Sequence, residues 1–147
     1  MFCGVLIKLY ENIRGFMSGW ENILFLLGRV LIGVFFVWKA SEKIRHWGDA
    51  ASILKRKKVP YISYVLPVST AIQLIGGLSI VLGLYTDIGA AFLALHMIAH
   101  MYKVHNFWNM NQGHERNFEK LSFMKDLAIL GSLFLFVVIG SGPFSIY

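Results

Sequence analysis

Two histidines, His96 and His100, stand four residues apart in an otherwise apolar stretch of the chain, residues 86–108. On a helix this spacing places both imidazoles on one face, one turn apart. Histidines aside, residues 88–104 contain a single charged residue, Lys103, so the segment is long and apolar enough to span a membrane. Ionisable side chains within a span are costly and by default mark a functional site. We therefore expect the chemistry of this protein to centre on these imidazoles.

Further polar residues interrupt the other apolar segments of the chain. At about 1.5 Å per helical residue, one polar residue from each segment falls near a common level. Two more lie deeper towards the cytoplasm. The spacing predicts a polar layer inside a helical bundle, with the candidate ligand-binding residues Arg29, Gln73, His96, Ser132, His100 and Asp126. The alternatives are that each residue is satisfied separately by backbone carbonyls or lipid headgroups, and that Arg29 extends to the membrane surface.

The composition of this layer suits a hydrogen-bonded organic ligand. Arginine, glutamine and histidine can bind a quinone carbonyl or a lipid headgroup while an apolar pocket holds the tail, and histidine can transfer a proton near neutral pH. A purely structural role, in which polar side chains join the helices, remains open. A bis-histidine haem is disfavoured because imidazoles one turn apart present to the same side of a ring. No metal site is expected, since the segments offer few ligands besides histidine and Asp126 and contain no His-Glu-x-x-His.

Composition places the chain among membrane proteins. Of 147 residues, 56% are hydrophobic and 15% charged, against roughly 45–50% and about 25% in soluble domains. The net charge of +6 fits attraction to an anionic lipid leaflet, and no basic–aromatic pattern of a nucleic-acid-binding module is present. The single cysteine, Cys3, excludes an intramolecular disulfide or dithiol relay. We expect no cleaved signal peptide at the N-terminus.

The apolar segments predict an all-α fold in a single domain over residues 1–147. It is a bundle of four transmembrane helices, with spans near residues 22–40, 61–84, 87–104 and 121–139. Apolar residues recurring every three or four positions in residues 1–20 predict an amphipathic helix in the membrane interface. Packing of this helix against the bundle is an equal alternative.

Positive charge is concentrated between the first two spans. The cluster consists of Lys55, Arg56, Lys57 and Lys58. It predicts contact with lipid headgroups, with an anionic-substrate site as the alternative. By the positive-inside rule, this loop and the loop after the third span are cytoplasmic and both termini lie outside. His105 and Trp108 are then expected at the cytoplasmic interface.

The order and spacing of several short elements resemble the DoxX family of small four-helix membrane proteins, related to the DoxD-type membrane subunit of thiosulfate:quinone oxidoreductase. The resemblance extends from about Gly28 to the end of the chain. Its elements are Arg29 with Gly33; Phe36 leading into Lys43; Val59-Pro60; Gly76-Gly77; Gly83-Leu84; His105 with Phe107-Trp108; and Lys125-Asp126-Leu127-Ala128 with Gly131.

This resemblance implies a bacterial inner-membrane protein associated with redox complexes and quinone. The chain departs from the family pattern at two positions: Gln73 stands where glutamate is common, and Asp126 where asparagine is common. The glutamine removes a natural counter-ion for Arg29. His96 and His100 are not part of the pattern and indicate a property of this branch.

Three functions are compatible with the sequence. The first is a redox-associated subunit, with uncertain catalysis of its own, that binds quinone or a lipid-like ligand in the polar layer. The second is a non-enzymatic assembly or scaffold subunit of a larger complex. A weaker third is a small-anion or lipid transporter, because four helices without a visible repeat offer little material for alternating access. Expected partners are the lipid bilayer and other membrane or redox subunits, or further copies of this chain.

Overall fold

The structure is a computed structural model that describes residues 2–105, 107–110 and 113–142, with side chains from residue 19 onward. It contains the α-helices α1 (Phe2–Arg45), α2 (Trp47–Arg56), α3 (Ile62–Leu82), α4 (Thr86–Val104) and α5 (His114–Ile139), and a short 3-10 helix, Phe107–Asn109. No strand occurs among the described residues, so the predicted all-α fold is confirmed.

The first helix is longer than the sequence analysis expected. α1 runs without interruption through 44 residues, whereas a separate interfacial helix over residues 1–20 and a span from residue 22 were predicted. The predicted boundary is wrong because Gly19 is the sole candidate breaker there, and one glycine costs a helix only about 1 kcal/mol. Most side chains of the predicted amphipathic face belong to residues 1–18 and lie outside the described side chains.

Three of the described helical segments are long and apolar enough to cross a membrane. They are Gly19–Arg45 within α1, Ile62–Leu82 and His114–Ile139. α4 does not belong to this set, since its 19 residues include two histidines, Asp87 and Lys103. α5 begins seven residues before the predicted start at residue 121, so much of the expected polar loop is helical.

Glycines bring α1 and α3 into close contact. A Cβ atom at Gly33 would lie 2.8 Å from the carbonyl oxygen of Gly77 and 2.9 Å from the backbone nitrogen of Val81. A Cβ atom at Gly77 would lie 2.9 Å from the carbonyl oxygen of Gly33. Backbones that touch in this way need residues without side chains at the crossing point, as in small-residue packing between membrane helices. The contact therefore sets the register between these two helices.

The remaining helices follow in antiparallel order, α3 against α4 and α4 against α5. Gly83 ends α3 with φ +72°, and the amide of Leu84 donates to the carbonyl oxygen of Ser79 at 3.1 Å, so the connection to α4 is short. We call this side of the bundle the turn end. The opposite side, where α1 and α4 end and α3 and α5 begin, is the loop end, and α2 packs there against α3 and α1.

The distribution of apolar side chains is that of a protein in lipid. The buried core is small and consists of Phe36, Ile80, Ala90, Leu93, Ala94, Met97, Met101, Leu130, Leu133 and Phe136. Large apolar side chains cover the outside as well: Leu31 is 69%, Leu95 66% and Val138 84% exposed. The buried set in turn includes Arg29, Gln73 and Asp126. Polar groups inside and apolar groups outside are expected when the surrounding solvent is hydrocarbon.

The glycine contact between α1 and α3 yields a stability prediction. Gly33→Ala places a methyl group against backbone atoms of α3 and forces the helices apart, and overpacking of this kind costs about 1–3 kcal/mol. We expect a lower melting temperature in detergent, measured by circular dichroism or by the binding of a dye that does not react with thiols. Gly28→Ala, in the same helix with nothing within 4 Å, is the matched control and should melt at or above the wild-type temperature. Equal melting of both variants would contradict the close contact.

Candidate functional site

The six residues of the predicted polar layer do not form one group. Gln73, His100 and Asp126 line a cleft of about 1210 Å³ at the loop end. Arg29, His96 and Ser132 are not among its lining residues. The candidate site therefore consists of the three residues that line the cleft and the neighbours that position them.

Arg29 lies away from the cleft, towards the turn end. It is 2% exposed, and its Nη1 donates to the carbonyl oxygen of Ser141, just after α5, at 2.5 Å. Arg29 precedes Gly33 by four residues and Gln73 precedes Gly77 by four, in antiparallel helices. The two residues thus lie on opposite sides of the glycine contact, separated by roughly 12 Å along the bundle. Counting from assumed helix ends missed this, because the glycine contact sets the register.

Gln73 and His96 lie near one level between α3 and α4. Gly89 of α4 packs against Ser79, and Leu93 packs against Gly76, so the next residues along this interface are Gln73 and His96. Gln73 is 6% exposed and its Oε1 has no hydrogen-bond partner among the described residues; the same holds for His96 Nε2. These buried polar atoms are available to a further group. Ser132, in contrast, donates to the carbonyl oxygen of Ala128 in its own helix at 3.2 Å.

A connected set of charged and imidazole side chains occupies the loop end. His100 Nδ1 lies 3.5 Å from Asp126 Oδ2, and His105 Nε2 lies 3.3 Å from the same oxygen. His105 Nδ1 is 2.6 Å from Glu119 Oε2, and Lys57 Nζ donates to Glu119 Oε1 at 2.6 Å. This set joins α2, α4 and α5, and we call it the histidine–carboxylate cluster (Lys57, His100, His105, Glu119 and Asp126).

His105 lies just after α4, outside its helical span, and its imidazole is held between two carboxylates. The hydrogen bond with Asp126 raises the pKa of His105 above its ordinary value; burial opposes this effect, and the hydrogen bond with Glu119 adds to it. The sequence analysis expected His105 at the membrane interface with Trp108. Trp108 is 45% exposed and its ring packs edge-on against Phe107, whereas His105 is directed into the bundle.

Sequence reasoning missed Glu119 altogether, because residues 109–120 were expected to form a loop. With α5 starting at His114, Glu119 and Asp126 are seven residues apart on one helix and therefore share a face. This spacing is the signal that could have revealed the pair. The error lay in the predicted start of α5, which begins at His114 and not at residue 121.

The cleft combines an apolar wall with a basic rim. Phe35, Phe36 and Met97 supply the wall. The cationic residues that line the cleft are Lys39, Lys43, Arg56, Lys57, Lys58 and Lys125. Three acidic residues line it as well: Glu115, Glu119 and Asp126. Cations therefore outnumber carboxylates, and such a surface attracts a ligand with an electron-rich or anionic head.

The predicted basic cluster contributes only part of its charge to this rim. Lys57 is bound to Glu119, and Arg56 and Lys58 face the cleft while remaining exposed. Lys55 is exposed and does not line the cleft. Among the remaining lysines of the loop end, Lys43 donates to Ser69 Oγ at 3.2 Å. Lys57 thus helps to order the loop end, whereas Arg56 and Lys58 face the cleft.

Comparison with known proteins agrees with the resemblance seen in the sequence. The model of the DoxX family matches residues 24–106, more than half of the chain. The chain is 28% identical over 130 residues to the inner membrane protein YqjF of Escherichia coli (strain K12). The matched region covers 88% of this chain and 94% of that protein. No solved structure matches.

The position of Arg29 gives a prediction for the turn end. Arg29→Leu removes the donor that binds the carbonyl oxygen of Ser141, and a hydrogen bond from a charged group contributes about 1.5–3 kcal/mol. We expect a clear fall in melting temperature in detergent. Arg45→Leu, which changes an exposed arginine at the other end of α1, is the control and should change it little. An unaltered melt of Arg29→Leu would mean that its side chain reaches the membrane surface instead.

Proposed function

The chain belongs to the DoxX family, and we propose that it is a redox-associated inner-membrane subunit that binds quinone or a lipid-like ligand in the cleft at the loop end. The cleft, rather than one polar layer across all helices, is the binding site in this proposal. Its ligand-contacting residues are Gln73 and His100, and Asp126 Oδ2 lies 3.5 Å from His100 Nδ1. The similarity to a protein named as an inner membrane protein supports the same membrane for this chain.

The observation that carries the proposal is the buried amide of Gln73. A buried acceptor without a partner costs about 1–3 kcal/mol, yet Gln73 Oε1 has none among the described residues and the side chain lines the cleft. A ligand in the cleft would supply the missing hydrogen bond. Phe35 and Phe36 lie along the same cleft and suit a flat ring or an isoprenoid tail.

The cleft also has the size and charge that an amphiphile needs. Its volume of about 1210 Å³ is somewhat above the roughly 300–1,000 Å³ of typical ligand pockets, which leaves room for a head and part of a tail. Its basic rim would hold the electron-rich head, and its aromatic wall would shield the tail. The imidazole of His100, which lines the cleft, could form a hydrogen bond with the head.

We include α4 as a fourth span in this proposal. Its 19 residues extend about 28 Å, close to the roughly 30 Å hydrocarbon core of a bilayer. It packs between α3 and α5, both of membrane length, and its outer face carries Phe92 and Leu95, each more than half exposed. The two histidines of α4 direct ring nitrogens into the bundle, whereas the exposed Asp87 and Lys103 lie near its two ends.

A non-enzymatic scaffold is the second candidate, and the buried Arg29 favours it. Its hydrogen bond to Ser141 joins the outer parts of α1 and α5 and needs no ligand. If the histidine–carboxylate cluster acts in the same way, the polar residues serve only to hold the helices. The scaffold would then recruit other membrane or redox subunits through its apolar outer surface.

The two candidates differ in what the purified protein carries. We expect quinone or a lipid in organic extracts of the wild-type protein, detected by mass spectrometry. Gln73→Leu should bind a short-tailed quinone about tenfold more weakly, since one lost hydrogen bond of ~1.4 kcal/mol gives that factor. Ser132→Ala is the control, because this hydroxyl binds its own helix outside the cleft. An empty wild-type protein, or equal affinity of both variants, would favour the scaffold.

The proposed topology places the loop end in the cytoplasm and both termini outside. Seven of the chain's 14 Lys and Arg residues lie in residues 39–58, and positive charge is retained on the cytoplasmic side. An epitope tag on either terminus should be cleaved by protease added to intact spheroplasts. A tag inserted after Asp49, in exposed α2, should be cleaved only after the membrane is opened. The reverse pattern would overturn this orientation.

A further inference from the structure

The donor atoms of three side chains converge at the centre of the histidine–carboxylate cluster. One potential ligand atom from each of His100, His105 and Asp126 lies within 4.8 Å of the other two. Two of the separations are shorter: His100 Nδ1 to Asp126 Oδ2 is 3.5 Å, and His105 Nε2 to the same oxygen is 3.3 Å. The residues come from two helices, so the convergence arises from the packing of α4 on α5 and not from one local turn.

These separations fit a shared cation. Zinc binds imidazole nitrogen and carboxylate oxygen at about 2.0–2.2 Å in a tetrahedral arrangement, so its ligand atoms stand roughly 3.3–3.5 Å apart. The two distances to Asp126 Oδ2 fall in this range. One ion could therefore contact both imidazoles and the carboxylate with small side-chain adjustments and no movement of the helices.

The hydrogen-bonding pattern of His105 prepares one nitrogen to accept a metal. Its Nδ1 lies 2.6 Å from Glu119 Oε2, a distance at which the N–H must be on Nδ1 and donate to the carboxylate. A metal ion would displace the proton by which Nε2 otherwise hydrogen-bonds to Asp126 Oδ2, and Nε2 would then direct its lone pair at the ion. A carboxylate that fixes the second nitrogen of a histidine is the usual outer-sphere partner of a metal ligand. Lys57 in turn fixes Glu119 through its other oxygen, at 2.6 Å.

His100 supplies an independent observation. Its Nδ1 is buried and makes no hydrogen bond among the described residues, although Asp126 Oδ2 is only 3.5 Å away. A single proton between His105 and Asp126 would satisfy that pair and leave His100 Nδ1 as it is. A cation at the centre would satisfy all three groups together, because each would direct a lone pair at it.

From this geometry we propose that His100, His105 and Asp126 bind a divalent first-row transition-metal ion. Two imidazoles and one carboxylate suit zinc, iron(II) or manganese(II). All three residues line the cleft, so the position that the protein leaves open faces a space that water or a ligand can enter. The metal site does not depend on quinone or lipid binding. It gives a role to His105 and Glu119, which the ligand proposal does not use.

Metal content of the detergent-solubilised full chain tests the site directly. The protein is purified without a polyhistidine tag, stripped with a chelator, reloaded with Zn²⁺ and analysed by inductively coupled plasma mass spectrometry. We expect one ion per chain, and at least a tenfold weaker Kd in competition with a chromophoric chelator for His105→Ala and for Asp126→Asn. His114→Ala, which removes another cleft-lining but exposed histidine, is the matched control and should bind like wild type.

Glu119→Gln examines the outer-sphere role separately. Glu119 is a positioning residue, so its loss should leave one ion per chain at saturation while weakening the Kd about 10–100-fold. A variant that unfolded would lose stoichiometry as well, which separates the two effects.

The spectrum of the wild-type protein loaded with Co²⁺ does not depend on any variant folding. Three protein ligands in a low-coordinate nitrogen and oxygen site should give visible d–d bands, and added Zn²⁺ should abolish them. Less than stoichiometric Zn²⁺ in the wild type, absent bands, or equal weakening by His114→Ala and His105→Ala would overturn the site.

Discussion

A carboxylate enclosed among membrane helices has to be compensated by cations or donors, and Asp126 imposes this requirement on the loop end. With 7% of its surface exposed, it receives imidazoles from His100 and His105. The second imidazole can reach it because α4 ends at Val104, so the chain turns there. Glu119 and Lys57 then complete the set and tie α2 to α5. Asp126 and the side chains around it thus connect α2, α4 and α5 at the loop end.

The turn end is organised by different contacts. Close approach at Gly33 and Gly77 fixes α1 on α3. α1 meets α5 through Phe25 and Phe136, whose rings pack edge to face at 5.6 Å, and through the hydrogen bond of Arg29. Two polar centres therefore exist in the described bundle, one at each end. They are separated by apolar core residues such as Ile80 and Leu93.

The all-α fold and most helix positions could be predicted, because apolar segments of membrane length have few other solutions. The common level of Gln73 and His96 could also be predicted, since a short turn joins α3 and α4 and fixes their register. Arg29 was misplaced because the register of α1 depends on a contact between two glycines, and no count from a helix end contains that contact. Glu119 was missed because α5 begins at His114, earlier than predicted, and His105 was assigned to the membrane interface because the turn of the chain after Val104 could not be predicted.

The position of the cleft relative to the turn-end contacts has a consequence for ligand exchange. Phe25, Phe136 and Arg29 occupy the space between α1 and α5 at that end, while all residues around the cleft belong to the opposite half. Among the described residues, the cleft thus lies at the loop end and the contacts between α1 and α5 lie at the turn end. A small molecule held in this cleft would therefore exchange with the surroundings on the loop-end side of the bundle.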